Sequence, residues 1–118
     1  MSMNLGELLP KIRSLSYLFT DAPDAIAAHC LELDLVATGI DRDVAEQRLD
    51  TLVRAQIKMI VKKMNFGDLT FAAPQDYWDR FYEGQEFKKA QLELEVPPIV
   101  VAVQHKVHVP VYMRARAA

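Results

Sequence analysis

Between Asp41 and Met64, apolar residues recur at Ala45, Leu49, Leu52, Val53, Ile57, Ile60, Val61 and Met64. Spacings of three and four put them on one broad stripe of an α-helix. Asp41 is a good N-cap, because its carboxylate can accept from the free N–H groups of the first turn. Asp43 and Glu46 sit near the positive end of the helix dipole, and Lys58, Lys62 and Lys63 near the negative end. Asn65 or Gly67, in "NFGD", suits a left-handed stop. A helix of this length with one apolar face must lie on something, and the rest of the chain offers mostly strands. The stripe includes Leu52 and leaves Arg54 outside the core.

"SLSYLFT" (Ser14–Thr20) is rich in aromatic and β-branched residues and reads as a strand. "DAPDA" has the Asp and Pro of a tight turn. "IAAHCLE" and "LDLVATG" read as second and third strands, ending at Gly39. "LELDL" contains no strong turn signal, so periodicity alone also permits one strand from Ile26 to Thr38. After the long helix, "AAPQDYWDRFYEG" reads as a shorter one, opened by Pro74 and stopped by Gly84. "QLELEV" alternates cleanly, with Leu92, Leu94 and Val96 on one side and Glu93 and Glu95 on the other. Pro97 and Pro98 break it. "IVVAVQHKVHVPVYM" follows, with Val101, Val103, Val107, Val109 and Val111 on one face and Pro110 expected near an edge or strand end. The order β-β-β-α-α-β-β predicts an α+β fold: an antiparallel sheet of three N-terminal strands packed on one long and one short helix on a single face, with C-terminal strands.

The 118 residues fit one domain, 1–118. With 51% hydrophobic and 25% charged residues, such a chain can bury one modest core. A formal net charge of −2 gives no strong field toward nucleic acid or anionic membrane, so neither is an expected partner. The longest apolar runs are too short to span a bilayer. "MSMNLGELLPKI" lacks the apolar core of a signal peptide. The single Cys30 cannot form an internal disulfide, which points to a reducing compartment and hence the cytoplasm.

The candidate chemistry is thin. His105 and His108 are three apart, and on a strand that spacing sends them to opposite faces. His29 and Cys30 are adjacent and also diverge. No zinc-type spacing occurs, so no metal, cofactor or catalytic residue is assigned. Cys30 reads as a packed thiol and His29 as a partly exposed side chain. Glu32 and Asp34 share a strand face that could in principle hold Mg²⁺, but a solvated face opposite Leu31, Leu33 and Leu35 is the expected arrangement. Tyr77, Trp78, Phe81 and Tyr82 form an aromatic stripe, read as docking the short helix onto the domain.

The block "IAAHCLELDLVATGIDRDVAEQRLDTLVRAQI" resembles the HicB family of antitoxins and antitoxin-like proteins. The run Ala28-His29-Cys30-Leu31-Glu32-Leu33 matches the family's Ala-x-Cys-Leu-Glu-Leu. Gly39 matches its glycine and Ala45 the alanine of its helix. The Ser/Thr cap is replaced by Asp41, and the Glu before the alanine by Val44. Cys30, Gly39, Asp41 and Ala45 are therefore singled out as a structural motif. The resemblance is close over Ile26–Ile57 and loose elsewhere.

It implies a truncated RNase H-like fold and a non-enzymatic protein–protein interaction module that masks a small, basic, mRNA-cleaving toxin. The family's C-terminal DNA-binding module has no counterpart in the Val-rich tail. Two alternatives follow from the same resemblance: an oligomeric scaffold with no toxin partner, and a residual metal-dependent nuclease. Homo-oligomerisation is expected through residues 97–118, because a long valine-faced strand left as a free edge would template aggregation.

Overall fold

A computed structural model describes residues 2–4, 12–63, 72–96 and 105–117. Its elements are β1 (Ser2–Asn4), β2 (Leu15–Asp21), β3 (Ile26–Cys30), β4 (Leu35–Gly39), α1 (Arg42–Lys63), α2 (Gln75–Glu83), β5 (Gln85–Val96) and β6 (His105–Ala117). The α+β class is as the sequence predicts. The two strands read from Ile26 to Gly39 are separate, and the turn between them, Leu31–Asp34, carries Asp34 at φ 52°. Aspartate is one of the few residues that enters the left-handed region readily. It is the turn signal that the apolar alternation of "LELDL" conceals.

The sheet is mixed rather than antiparallel. β2, β3 and β4 form an antiparallel meander, but β6 runs parallel to β2, pairing Leu15 with Val111 through Asp21 with Ala117. The short β1 is also parallel to β6, and β5 closes on the other side of β6 as an antiparallel neighbour. β6 is thus interior to the sheet, with Val107, Val109 and Val111 at most 2% exposed. The expected oligomer rested on a free valine edge, and over the described residues that edge is already covered. Val101 and Val103 lie outside the described residues, as do Asn65 and Gly67.

Pro110 is not at a strand end. It lies inside β6, opposite Gln91 of β5. On the other side, register with β1 ends at His108 and register with β2 begins at Val111. A residue without a donor fits where one neighbouring strand has stopped and the next has not started. β5 is twice the length read from "QLELEV", because its first half is charged and bulged between Glu86 and Lys88.

The helices occupy opposite faces, which corrects the single-face expectation. Leu15, Tyr17 and Phe19 point toward α1 and join the main core with Ala45, Leu49, Val53, Ile57, Ile60 and Val61. Leu18, from the same strand, points the other way and packs with Leu31, Ala73 and Phe81 under α2. A strand of alternating orientation with apolar residues on both sides needs cover on both. β2 is such a strand, buried from Leu15 through Phe19. Leu52 is the misplaced member of the helix stripe: it is 42% exposed, while its neighbour Val53 is fully buried.

Asp41 caps α1 as the sequence predicts, its Oδ1 accepting from the Val44 N–H at 2.8 Å. Asp41→Ala is expected to lower the unfolding free energy by ~1 kcal/mol, read from the denaturant midpoint. Gly39 is required by space rather than by backbone angle. A Cβ there would lie 2.5 Å from the Ala45 backbone nitrogen and 2.9 Å from Val44 Cγ1. The obstructing atom is backbone in a capped first turn, so it yields poorly. Gly39→Ala is expected to cost ~1–3 kcal/mol in the same measurement, and a neutral result would mean that strand and helix separate more easily than this packing implies.

Candidate functional site

Three of the four motif residues, Gly39, Asp41 and Ala45, meet at the junction of β4 and α1, while Cys30 lies at the other end of the β3–β4 pair from Gly39, which is in register with Ile26. Cys30 ends β3, pairs in register with Leu35 and is fully buried. Burial pushes its thiol pKa well up, and the nearby Glu32 carboxylate adds to this, the reverse of what an activated thiolate needs. Gly39 ends β4 against the first turn of α1, where Asp41 caps and Ala45 is fully buried. Gly39, Asp41 and Ala45 form the tight joint between β4 and α1. They line no cavity described here.

Glu32 and Asp34 do not share a strand face; both lie in the turn and point to different partners. Glu32 accepts from the Ser16 N–H at 2.7 Å and from the Ser16 hydroxyl at 2.8 Å. The Leu31 N–H donates to Ser16 O at 3.0 Å. The carboxylate therefore takes the place a strand carbonyl would have held, extending the β2–β3 ladder one step past Cys30. It is part-buried rather than solvated, and desolvation raises its pKa against the lowering effect of the Ser16 bonds.

A carboxyl whose folded pKa is raised contributes stability below its unfolded pKa and loses it as pH rises through the folded value. Glu32→Gln keeps a group that can accept from the Ser16 N–H and removes the charge. The variant is expected to be more stable than the wild type near neutral pH, with the advantage shrinking as pH falls toward the ordinary carboxylate range. Paired denaturation curves across that range check it; an advantage that grows on acidification would refute it.

Asp34 partners His29, whose Nε2 lies 2.7 Å from Asp34 Oδ1. A carboxylate can only accept, so the ring nitrogen donates. His29 is 8% exposed rather than partly exposed, with its ring edge-on to Tyr77 at 4.8 Å between centroids. His29 and Cys30 do diverge, one to each face of the sheet. Of the aromatic stripe, Phe81 is buried, Tyr77 and Trp78 are half-buried against its cluster, and Tyr82 is exposed. Among the described residues, no three His, Cys, Asp or Glu side chains gather in a metal-holding group.

What the sequence reading missed is the groove that this arrangement opens. α2 is only nine residues long and leaves part of its face of the sheet uncovered. A cavity of about 400 Å³ lies there, lined by Leu18, Thr20, Ala27, His29, Asp34, Val36, Pro74 and Tyr77. Its floor is mostly apolar, and the His29–Asp34 pair supplies its polar wall. Val36, 52% exposed, forms its outer lip and belongs to β4, an edge strand of the sheet. A second cavity of about 290 Å³ lies by Asp21, Arg42, Phe87 and Arg116. There the arginines are already engaged, Arg42 with Asp21 and over the Phe87 ring, Arg116 with Glu83. The first groove has more unsatisfied apolar surface and is the better candidate for contact with another molecule. Among the described residues, no helix is long and apolar enough to cross a membrane. No family model, no curated protein and no solved structure matches the chain.

Proposed function

We propose that this chain is a non-enzymatic protein–protein interaction module of the HicB-like kind, which binds and masks a small basic mRNA-cleaving toxin in the cytoplasm. The observation that carries the reading is the apolar-floored groove beneath α2, open along the lip formed by Val36 of the edge strand. A partner's apolar side chains can fill such a groove while its backbone runs beside an open strand. Further support comes from the motif block. Its residues form β3 and β4, which with the preceding β2 make three antiparallel strands that lead through Gly39 and the Asp41 cap into a long helix, the order that the resemblance implies.

The test is co-expression with the product of the adjacent open reading frame, followed by affinity purification and an RNA-cleavage assay. A small basic protein should co-purify in stoichiometric amount, and its cleavage of RNA should stop when this chain is present. Purification of the chain alone, with cleavage by the neighbour unaffected, would sink the reading.

A further inference from the structure

We infer that the outer edge of β4 is a strand-addition site for a basic protein, which lays a β-strand of its own against Leu35–Gly39; the inference rests on the interaction-module reading and names its contact. Among the described residues the sheet has three outer strands: β1, only three residues long, β4 and β5. Five of the twelve residues of β5 are charged, and Arg54 Nε donates to its Glu93 carbonyl at 3.0 Å. Charges along an edge are the usual protection against added strands. β4, "LVATG", carries none.

The Thr38 carbonyl accepts from Arg48 Nη1 at 2.9 Å, so it points away from β3. Strand alternation turns the backbone groups of Val36, two residues earlier, to the same side. Among the described residues, no strand pairs with that side. Val36 at 52% exposure and Ile40 at 83% add apolar surface along the same line.

The charges around the edge select the occupant. Exposed Asp34 stands at its start, and exposed Asp41 and Asp43 follow its end. Arg48 is the cation that touches the edge. A second copy pairing about a two-fold axis would run antiparallel, bringing Asp34 of one chain toward Asp41 and Asp43 of the other. That juxtaposition repels. A strand flanked by lysine or arginine at both ends is attracted instead, with the Arg48 side chain displaced from the Thr38 carbonyl as the new strand takes that bond.

The probe is a fluorescent peptide of five alternating threonine and valine residues between paired lysines, compared with the same core between paired glutamates. The lysine-flanked peptide is expected to bind at least ~10-fold more tightly, and to weaken as salt is raised. Val36→Lys should abolish its binding without changing the melting temperature, since the side chain is half-exposed. Arg48→Ala should tighten it by removing both the competing donor and the local cation. Equal affinity for the two peptides, unaltered binding to the Val36→Lys variant, or no saturable binding by either at ~1 mM would overturn the inference. A dimer in sedimentation that Val36→Lys dissolves would assign the edge to a second copy, and would also overturn it. The two levels separate cleanly. A neighbouring basic protein that binds Val36→Lys as well as wild type overturns the edge assignment and leaves the interaction-module reading standing. Peptide binding to the edge, with no such neighbour recovered, does the reverse.

Discussion

Leu49→Ala is expected to lower the unfolding free energy by ~2–5 kcal/mol, while Leu52→Ala, three residues along the same helix, costs less than about 1 kcal/mol. Leu49 is fully buried in the core between α1 and the sheet, and Leu52 is 42% exposed. Truncating Leu49 removes transfer free energy and leaves a cavity in a closely packed interior. Truncating Leu52 exposes little that water did not already reach. Leucine and alanine are both good helix formers, so propensity does not confuse the comparison. Denaturant titration of the two variants beside wild type checks it, with unchanged slopes confirming that the native and denatured states are comparable. Equal costs would mean that α1 is rotated about its axis relative to the packing described here.

Phe81→Ala is expected to cost ~3–5 kcal/mol, the range for removing a buried aromatic ring. A nine-residue helix has little stability of its own, so α2 is held by what it docks against. Phe81 is its buried residue, packed with Leu18, Leu31 and Ala73, with the Arg114 guanidinium 5.2 Å from its ring centre. The Trp78 indole donates to Ala73 O at 3.1 Å, and Trp78 is the chain's only tryptophan. Its emission therefore reports on α2 directly. In Phe81→Ala the emission should shift to the red under native conditions, together with the loss of stability. Unchanged emission and unchanged stability would show that α2 is fixed by other contacts. Because α2 forms one wall of the groove through Tyr77, the same variant should also weaken a partner bound there.

The legible part of this protein was its local structure. The stripe from Ala45 to Val61, the Asp41 cap, the Pro74 opening of α2 and the Asp21–Ala25 turn all depend on residues within a few positions of one another. Leu52 was misplaced because a stripe of apolar residues shows that a face exists without showing its limits, and the sheet beneath decides which member falls outside. Glu32 and Asp34 were misplaced because one φ value at Asp34 ended the alternation that would have aligned them.

The candidate site was hardly legible at all. Its groove joins Leu18 of β2, His29 of β3, Val36 of β4 and Tyr77 of α2, which the sequence spreads over 60 positions. Its existence depends on α2 crossing to the face opposite α1 and on being too short to cover it. The openness of β4 and the enclosure of β6 are likewise facts of strand order. A valine-rich segment and an uncharged five-residue strand carry the same kinds of side chain whether they lie inside a sheet or at its margin. Sequence by itself determined the two helices, the three strands of the meander and which faces are apolar, because those follow from neighbours along the chain; it did not show β1 or the charged first half of β5. Only the tertiary structure decided which strand is central, which edge stays open and which helix shields which face, because each of these is set by pairing between segments far apart in sequence, with no local signature to announce it.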